Sequence, residues 1–208
     1  MLQSICDEIT NKIGILFSKV KIEPIRWGNK HIGFTTHIRF WGANHKKNQQ
    51  PPVSDRWQTS IKIEIVKYEL MVNYPLNRPL LSDFSDSDLF ENIMIPCYSI
   101  LEVVSEKFRA LLQRSYPAPR DYYDLWFLLQ QKEIINLEII IDTFARKAEF
   151  KKVEFNNYTD FFEPEQIRKV KQAWSNSLKS HLKEDALPDV DAVIYELQEI
   201  CKIISWKK

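Results

Sequence analysis

The chain has 208 residues, 44% of them hydrophobic, and a formal net charge of +1 from 29 basic and 28 acidic side chains. That length supports one domain, or a small domain with a helical extension, and the balanced charge excludes a global electrostatic footprint for nucleic acid. Three scattered cysteines (Cys6, Cys97 and Cys201) fit a reducing compartment; with no apolar run near the ~20 residues of a membrane span and no signal-like leader, the expected location is the cytoplasm.

Ile5, Ile9, Ile13, Leu16 and Phe17 predict an N-terminal amphipathic helix. Ile22–Trp27 and Ile32–Trp41 then alternate as strands about the turn signal Gly28, Asn29, Lys30. A polar stretch, 42–55, precedes a third strand, Thr59–Tyr68. In it Ile61, Ile63 and Ile65 share one face while Lys62 and Glu64 share the other, so Glu64 looks into solvent or a cleft. Leu81 to Asp88 reads as a loop with capping chemistry before Leu89. Beyond Pro96 the pattern is helical. A helix over Ile100–Gln113 and a loop over Ser115–Pro119 lead into a second helix that opens at Arg120. Three further stripes follow, anchored by Ile140 and Phe144, by Val170 and Trp174, and by Ile194 and Leu197. The expected fold class is α+β, with an α/β portion over residues 1–95 and a helical bundle over 96–208.

One lysine breaks the pattern. In Ile100–Gln113 the apolar face is Ile100, Val103, Val104, Phe108, Leu111 and Leu112, and Glu102, Ser105, Glu106, Arg109 and Gln113 fill the opposite face. Lys107 falls in the middle of the apolar face, and Arg114 returns to the same side. A cation on a core-facing stripe is costly unless it is paired or bound to an anion. The next helix offers partners, because Asp121 and Asp124 lie three apart on a face shared with Leu125 and Leu128. Two readings stay open at this point. Either the charges form a structural ion-pair cluster between antiparallel helices, or Lys107 and Arg114 hold a phosphate while the aspartates orient the lysine or a substrate hydroxyl.

Other constellations are weaker. Asp86 with Asp88, and Asp189 with Asp191, read as helix-start chemistry. The histidines lack metal-ligand spacing. Trp27, Trp41 and Trp57 suit core or hairpin pairs, with base stacking as the minority reading.

The run Glu106, Lys107, Ala110, Leu111, Arg114, followed by Arg120, Asp121, two aromatics, Asp124 and an apolar stretch, resembles the central signature of the AbiEii/AbiGii-type nucleotidyltransferase toxins. The segment Ile61 to Ile65 resembles that family's strand bearing an active-site carboxylate, and the likeness runs in order from about Ile32 to Leu129. It implies a polymerase-beta-like nucleotidyltransferase, with residues 1–95 forming part of the mixed sheet. Such a protein transfers a nucleotide from a nucleoside triphosphate, with magnesium, to an RNA acceptor such as tRNA. A cognate antitoxin neutralises it in a type IV-like toxin–antitoxin or phage-defence system. In that scheme Glu64 is a metal or base carboxylate, Lys107 contacts phosphate, Asp121 and Asp124 orient the lysine or the acceptor, and Arg114 and Arg120 support them.

The family pattern also contains an early Gly-Ser turn for the triphosphate and an Asp-x-Asp pair for metal. None of Gly14, Gly28, Gly33 and Gly42 is followed by serine or glycine. The expectation is therefore that the chain starts inside the ancestral domain, that a separate N-terminal segment supplies the first part, or that activity has been lost. The competing class is a non-catalytic remnant or a protein- or RNA-binding module of the same fold.

Overall fold

Gly14 decides where the first helix stops. In the computed structural model, which describes residues 1–42, 45, 49–81, 92–131, 135–183 and 186–206, helix α1 (Leu2–Ile13) closes on Gly14 at φ 76°, with its N–H bonded to the Thr10 carbonyl. Glycine carries no Cβ penalty in this left-handed cap. The helical periodicity through Leu16 and Phe17 is cut off there. Those two residues form strand β1 (Leu16–Phe17), paired antiparallel with Trp41 and Phe40.

The chain divides into two units, Met1–Glu69 and Leu70–Lys208. The first is built around β3 (Lys30–Trp41), which pairs antiparallel with β1, with β2 (Glu23–Trp27) and with β4 (Ser60–Val66). In the β3–β4 register Thr35 faces Glu64, Thr36 faces Ile63 and His37 faces Lys62. Thr36 and Ile38 are buried while His37 and Arg39 are exposed, so β3 has one covered and one open face. Trp57 is buried, and its indole N–H donates to the Pro52 carbonyl at 2.8 Å. Trp41 stacks on His45. These contacts match the core-and-pair reading of those two tryptophans.

The second unit opens with a two-stranded antiparallel ribbon that the sequence pattern did not disclose, β5 (Leu76–Pro79) with β6 (Met94–Cys97). The loop carrying Asp86 and Asp88, and the helix expected from Leu89, fall within 82–91, outside the described residues. Among the described residues five helices follow: α2 (Ile100–Gln113), α3 (Pro119–Leu129), α4 (Leu137–Lys151), α5 (Pro164–Leu178) and α6 (Val190–Ile203). Their core gathers Val104, Phe108, Tyr122, Leu125, Ile140, Phe144, Val170, Trp174 and Leu197 around the 3-10 turn Tyr158–Phe162. The protein is α+β, as its pattern predicts. Among the described residues no helix is long and apolar enough to cross a membrane.

The face of α2 opposite its apolar stripe is covered over most of its length: Glu102, Ser105 and Arg109 are buried, Glu106 is half-buried and Gln113 is exposed. The cause is α4, which packs along that side of α2 and brings its own lysine.

Candidate active site

Two caps fix the helix pair that holds the charges. Ser99 caps α2, its hydroxyl accepting from the Glu102 N–H, and Pro119 occupies the first turn of α3, where its missing N–H costs nothing. The short connection from Arg114 to Ala118 turns the chain back, so that Lys107, late in α2, meets Asp121 and Asp124 at the start of α3. Lys107 Nζ donates to Asp121 Oδ1 at 3.1 Å and to Asp124 Oδ2 at 2.6 Å. Arg114 Nη1 lies 2.9 Å from Asp121 Oδ2, an ion pair that misses hydrogen-bond alignment. Lys107, Arg114, Asp121 and Asp124, placed together by sequence reasoning, are therefore together in the structure.

Burial grades the cluster. The Asp121 side chain is 6% exposed, Lys107 21% and Asp124 36%. Asp121 is thus the fixed carboxylate, locked between two cations, while Asp124 is the accessible one. The four charges cancel. An incoming anion would compete with Asp124 for Lys107 and leave the Asp121 contact in place. Beside them opens a cleft of about 440 Å³, lined by Tyr98, Glu106, Lys107, Arg109, Arg114, Tyr116 and Asp121 among others. Arg114 sits over the Tyr116 ring, 5.4 Å from its centroid. Arg109, also on the cleft wall, is tied back to Glu106 and Gln113. Arg120 is exposed on the first turn of α3 and is not among the residues lining this cleft.

Next to Asp121, Tyr122 serves the architecture. Its hydroxyl donates to the Phe161 carbonyl at 2.7 Å, and burial, reinforced by the Asp121 charge, pushes its pKa well above the usual tyrosine value. It anchors α3 and does not trade protons near neutrality.

A second charged cluster escaped the sequence reading. Lys147 on α4 and Glu102 on α2 are both fully buried and 2.7 Å apart. Lys147 also donates to the Leu70 carbonyl at 2.7 Å, and Glu106 lies 3.4 Å away. Glu102 further accepts from the N–H groups of Val72 and Asn73 and from the Asn73 amide, which also donates to Thr143. Spacing carried a signal for it. Lys147 stands three residues after Phe144 on the α4 stripe, the same displacement onto an apolar face that marks Lys107.

Glu64 belongs to the first unit. It lies exposed on β4, 2.8 Å from Lys62 on the same strand. Magnesium takes an octahedral oxygen set with carboxylate support. Among the described residues no group of three or more His, Cys, Asp or Glu side chains is arranged to hold a metal ion, and Glu64 already has a cationic partner. The described donor set does not fit a magnesium site. Asp189 instead caps α6, accepting from the Ala192 N–H, and Asp191 pairs with Lys171, as helix-start residues do.

The chain thus joins an antiparallel sheet with an acidic strand to a helical unit whose Lys107–Asp121–Asp124–Arg114 cluster borders an open cleft. The sequence model of the nucleotidyl transferase AbiEii toxin, from type IV toxin–antitoxin systems, matches residues 1–195, and the chain belongs to that family. A cognate antitoxin is the partner this membership implies. No curated protein gives a significant match to the chain.

Proposed function

We propose that this protein transfers a nucleotide from a nucleoside triphosphate to a hydroxyl of an RNA acceptor such as tRNA, with cleavage of the α–β phosphate bond and release of pyrophosphate, acting in the cytoplasm as the toxin of a phage-defence system. The observation that carries this reading is Lys107, presented on a cleft wall by one buried and one accessible carboxylate. Asp121, fixed by Arg114, holds the ammonium in place. Phosphate oxygens then take the position beside Lys107 that Asp124 now fills, and the freed Asp124 carboxylate accepts a hydrogen bond from the acceptor hydroxyl. An ammonium poised in a partly desolvated cleft stabilises the charge that develops on a transferring phosphoryl group. Arg114 adds a second cation at the same wall, and Arg120, exposed at the start of α3, supports the acceptor from outside the cleft.

Lys107→Ala is the test, in the complete toxin assembly with labelled nucleoside triphosphate and tRNA. Loss of one positioned charge should lower transfer by roughly 10²–10³-fold. Lys107→Arg should recover only part of the activity, because a planar guanidinium does not reproduce the point charge. Transfer unchanged in Lys107→Ala would refute the phosphate role.

One observation favours a second reading, a salt-bridged scaffold for binding a protein or RNA: the cluster is electrically neutral by itself. A scaffold lysine should lower thermal stability markedly when removed and leave no nucleotide-dependent stabilisation to lose, whereas a catalytic one should be near-neutral to stability.

A further inference from the structure

Strand β4 has one partner among the described residues, β3, which leaves its other edge open. The hydrogen bonding shows which groups face that edge. The Lys67 N–H donates to the Ile32 carbonyl, and the Thr59 carbonyl accepts from the Phe40 N–H, so odd-numbered residues turn their backbone groups toward β3. By the two-residue period of a strand, Ser60, Lys62, Glu64 and Val66 direct their N–H and C=O groups outward. Open edges of this kind recruit further strands unless something prevents it.

We infer that β4 is a self-pairing edge that joins two copies of this chain through an antiparallel β4–β4 ladder centred on Ile63. The side chains of this strand complement their own reversal. A two-fold axis through Ile63 sets Lys62 of one copy opposite Glu64 of the other, and Glu64 opposite Lys62. Both are hydrogen-bonded pairs, formed by residues that already direct backbone groups outward. On the other face Ile61 meets Ile65, and Ile63 meets its own counterpart in the close, non-hydrogen-bonded position. Ile61 is 47% and Ile65 51% exposed in the single chain, so the ladder covers apolar surface that is now open. Lysine at an edge strand ordinarily discourages pairing. Here the opposing glutamate removes that protection for one partner and one register. A one-residue slip would place Lys62 against Ile63 and Glu64 against Ile61, so the register is specified.

Charge reversal tests this with the full chain, by sedimentation equilibrium over the micromolar range. The unaltered chain should weigh in as a dimer. Lys62→Glu alone places two glutamates against two, and Glu64→Lys places two lysines against two; each should raise the dissociation constant roughly tenfold or more. Mixing the two single variants should restore a species of twice the chain mass, because at both positions the carboxylates of one variant then face the ammonium groups of the other. The double reversal in one chain should self-associate as the unaltered chain does. Circular dichroism on each variant separates loss of pairing from loss of fold, and recovery on mixing is itself proof that both single variants are folded. A chain that stays monomeric, dimerises regardless of these charges, or instead seats a strand of a different polypeptide on β4 would overturn the inference.

Discussion

Lys107 and Lys147 pose the same physical problem, a cation on an apolar helix stripe, and the structure answers it in two ways. Lys107 keeps an edge on a cleft and one accessible carboxylate; Lys147 is sealed in with Glu102. The sealed pair makes stability depend on acid. Burial works against ionising Glu102, but hydrogen bonds from Lys147, from the Asn73 backbone and side chain, and from the Val72 N–H outweigh it and hold its pKa below the ordinary glutamate value. A depressed folded pKa contributes stability that is complete above the unfolded value of about 4.3 and is lost as pH falls through the folded one. Urea titrations stepped from neutral pH into the acid range should show this loss in the unaltered protein. Glu102→Gln should begin from a lower plateau at neutral pH and lose less across the acid window. An identical acid limb in both would show that Glu102 is not the group responsible.

At the level of elements, the β3–β4 pairing depends on one glycine. A Cβ on Gly33 would lie 2.2 Å from the Ile65 carbonyl oxygen and 3.0 Å from Val66 Cα, and both are backbone atoms that cannot swing away. Gly33→Ala should therefore push β4 off β3 and cost at least about 2 kcal/mol, the upper part of the range for overpacking. Gly14→Ala meets no atom within 4 Å and strains only the left-handed cap, so about 1 kcal/mol is expected. Chemical denaturation of the two variants side by side ranks them, and equal losses would show that the close approach is not limiting. The same elements show how far pattern reading reaches. β2, β3 and β4 were legible because they alternate, and the Lys107 cluster because helical spacing exposes a misplaced charge. The β5–β6 ribbon was not, since two four-residue strands containing Pro79 and Pro96 carry no alternation to read. The run-on of α1 into Leu16 and Phe17 shows local periodicity yielding to a glycine cap and a distant partner strand. Spacing places Glu102 only on the face opposite the apolar stripe, because helical spacing says nothing about which neighbours pack where. Only the arrival of α4 buries it.

At the scale of the whole molecule, the division after Glu69 assigns the segment leading out of β4 to the helical unit. The interactions there explain why. Leu70, Val72 and Asn73 supply an acceptor for Lys147 and the donors for Glu102, so these residues complete the electrostatics of a core they flank only in sequence. That core is otherwise self-sufficient, with Phe144, Phe161 and Trp206 in mutual ring contact, Phe108 and Phe155 each packed against all three, and Val104, Leu125 and Leu197 buried in the same cluster. A fragment spanning residues 70–208 should therefore fold alone with a single cooperative transition. A fragment spanning 76–208 keeps the five described helices of the second unit and its apolar core cluster but leaves Lys147 and Glu102 short of the partners they take from residues 70–73. Hydrogen bonds to buried charges contribute about 1.5–3 kcal/mol each, so the shorter fragment should be less stable by at least about 2 kcal/mol even if water enters to replace some of them. Equilibrium unfolding of the two fragments measures that difference directly. Equal stabilities would mean that the Lys147–Glu102 pair sustains itself, and that the polypeptide leaving β4 is merely laid along α2 and α4 and is not held there by charge.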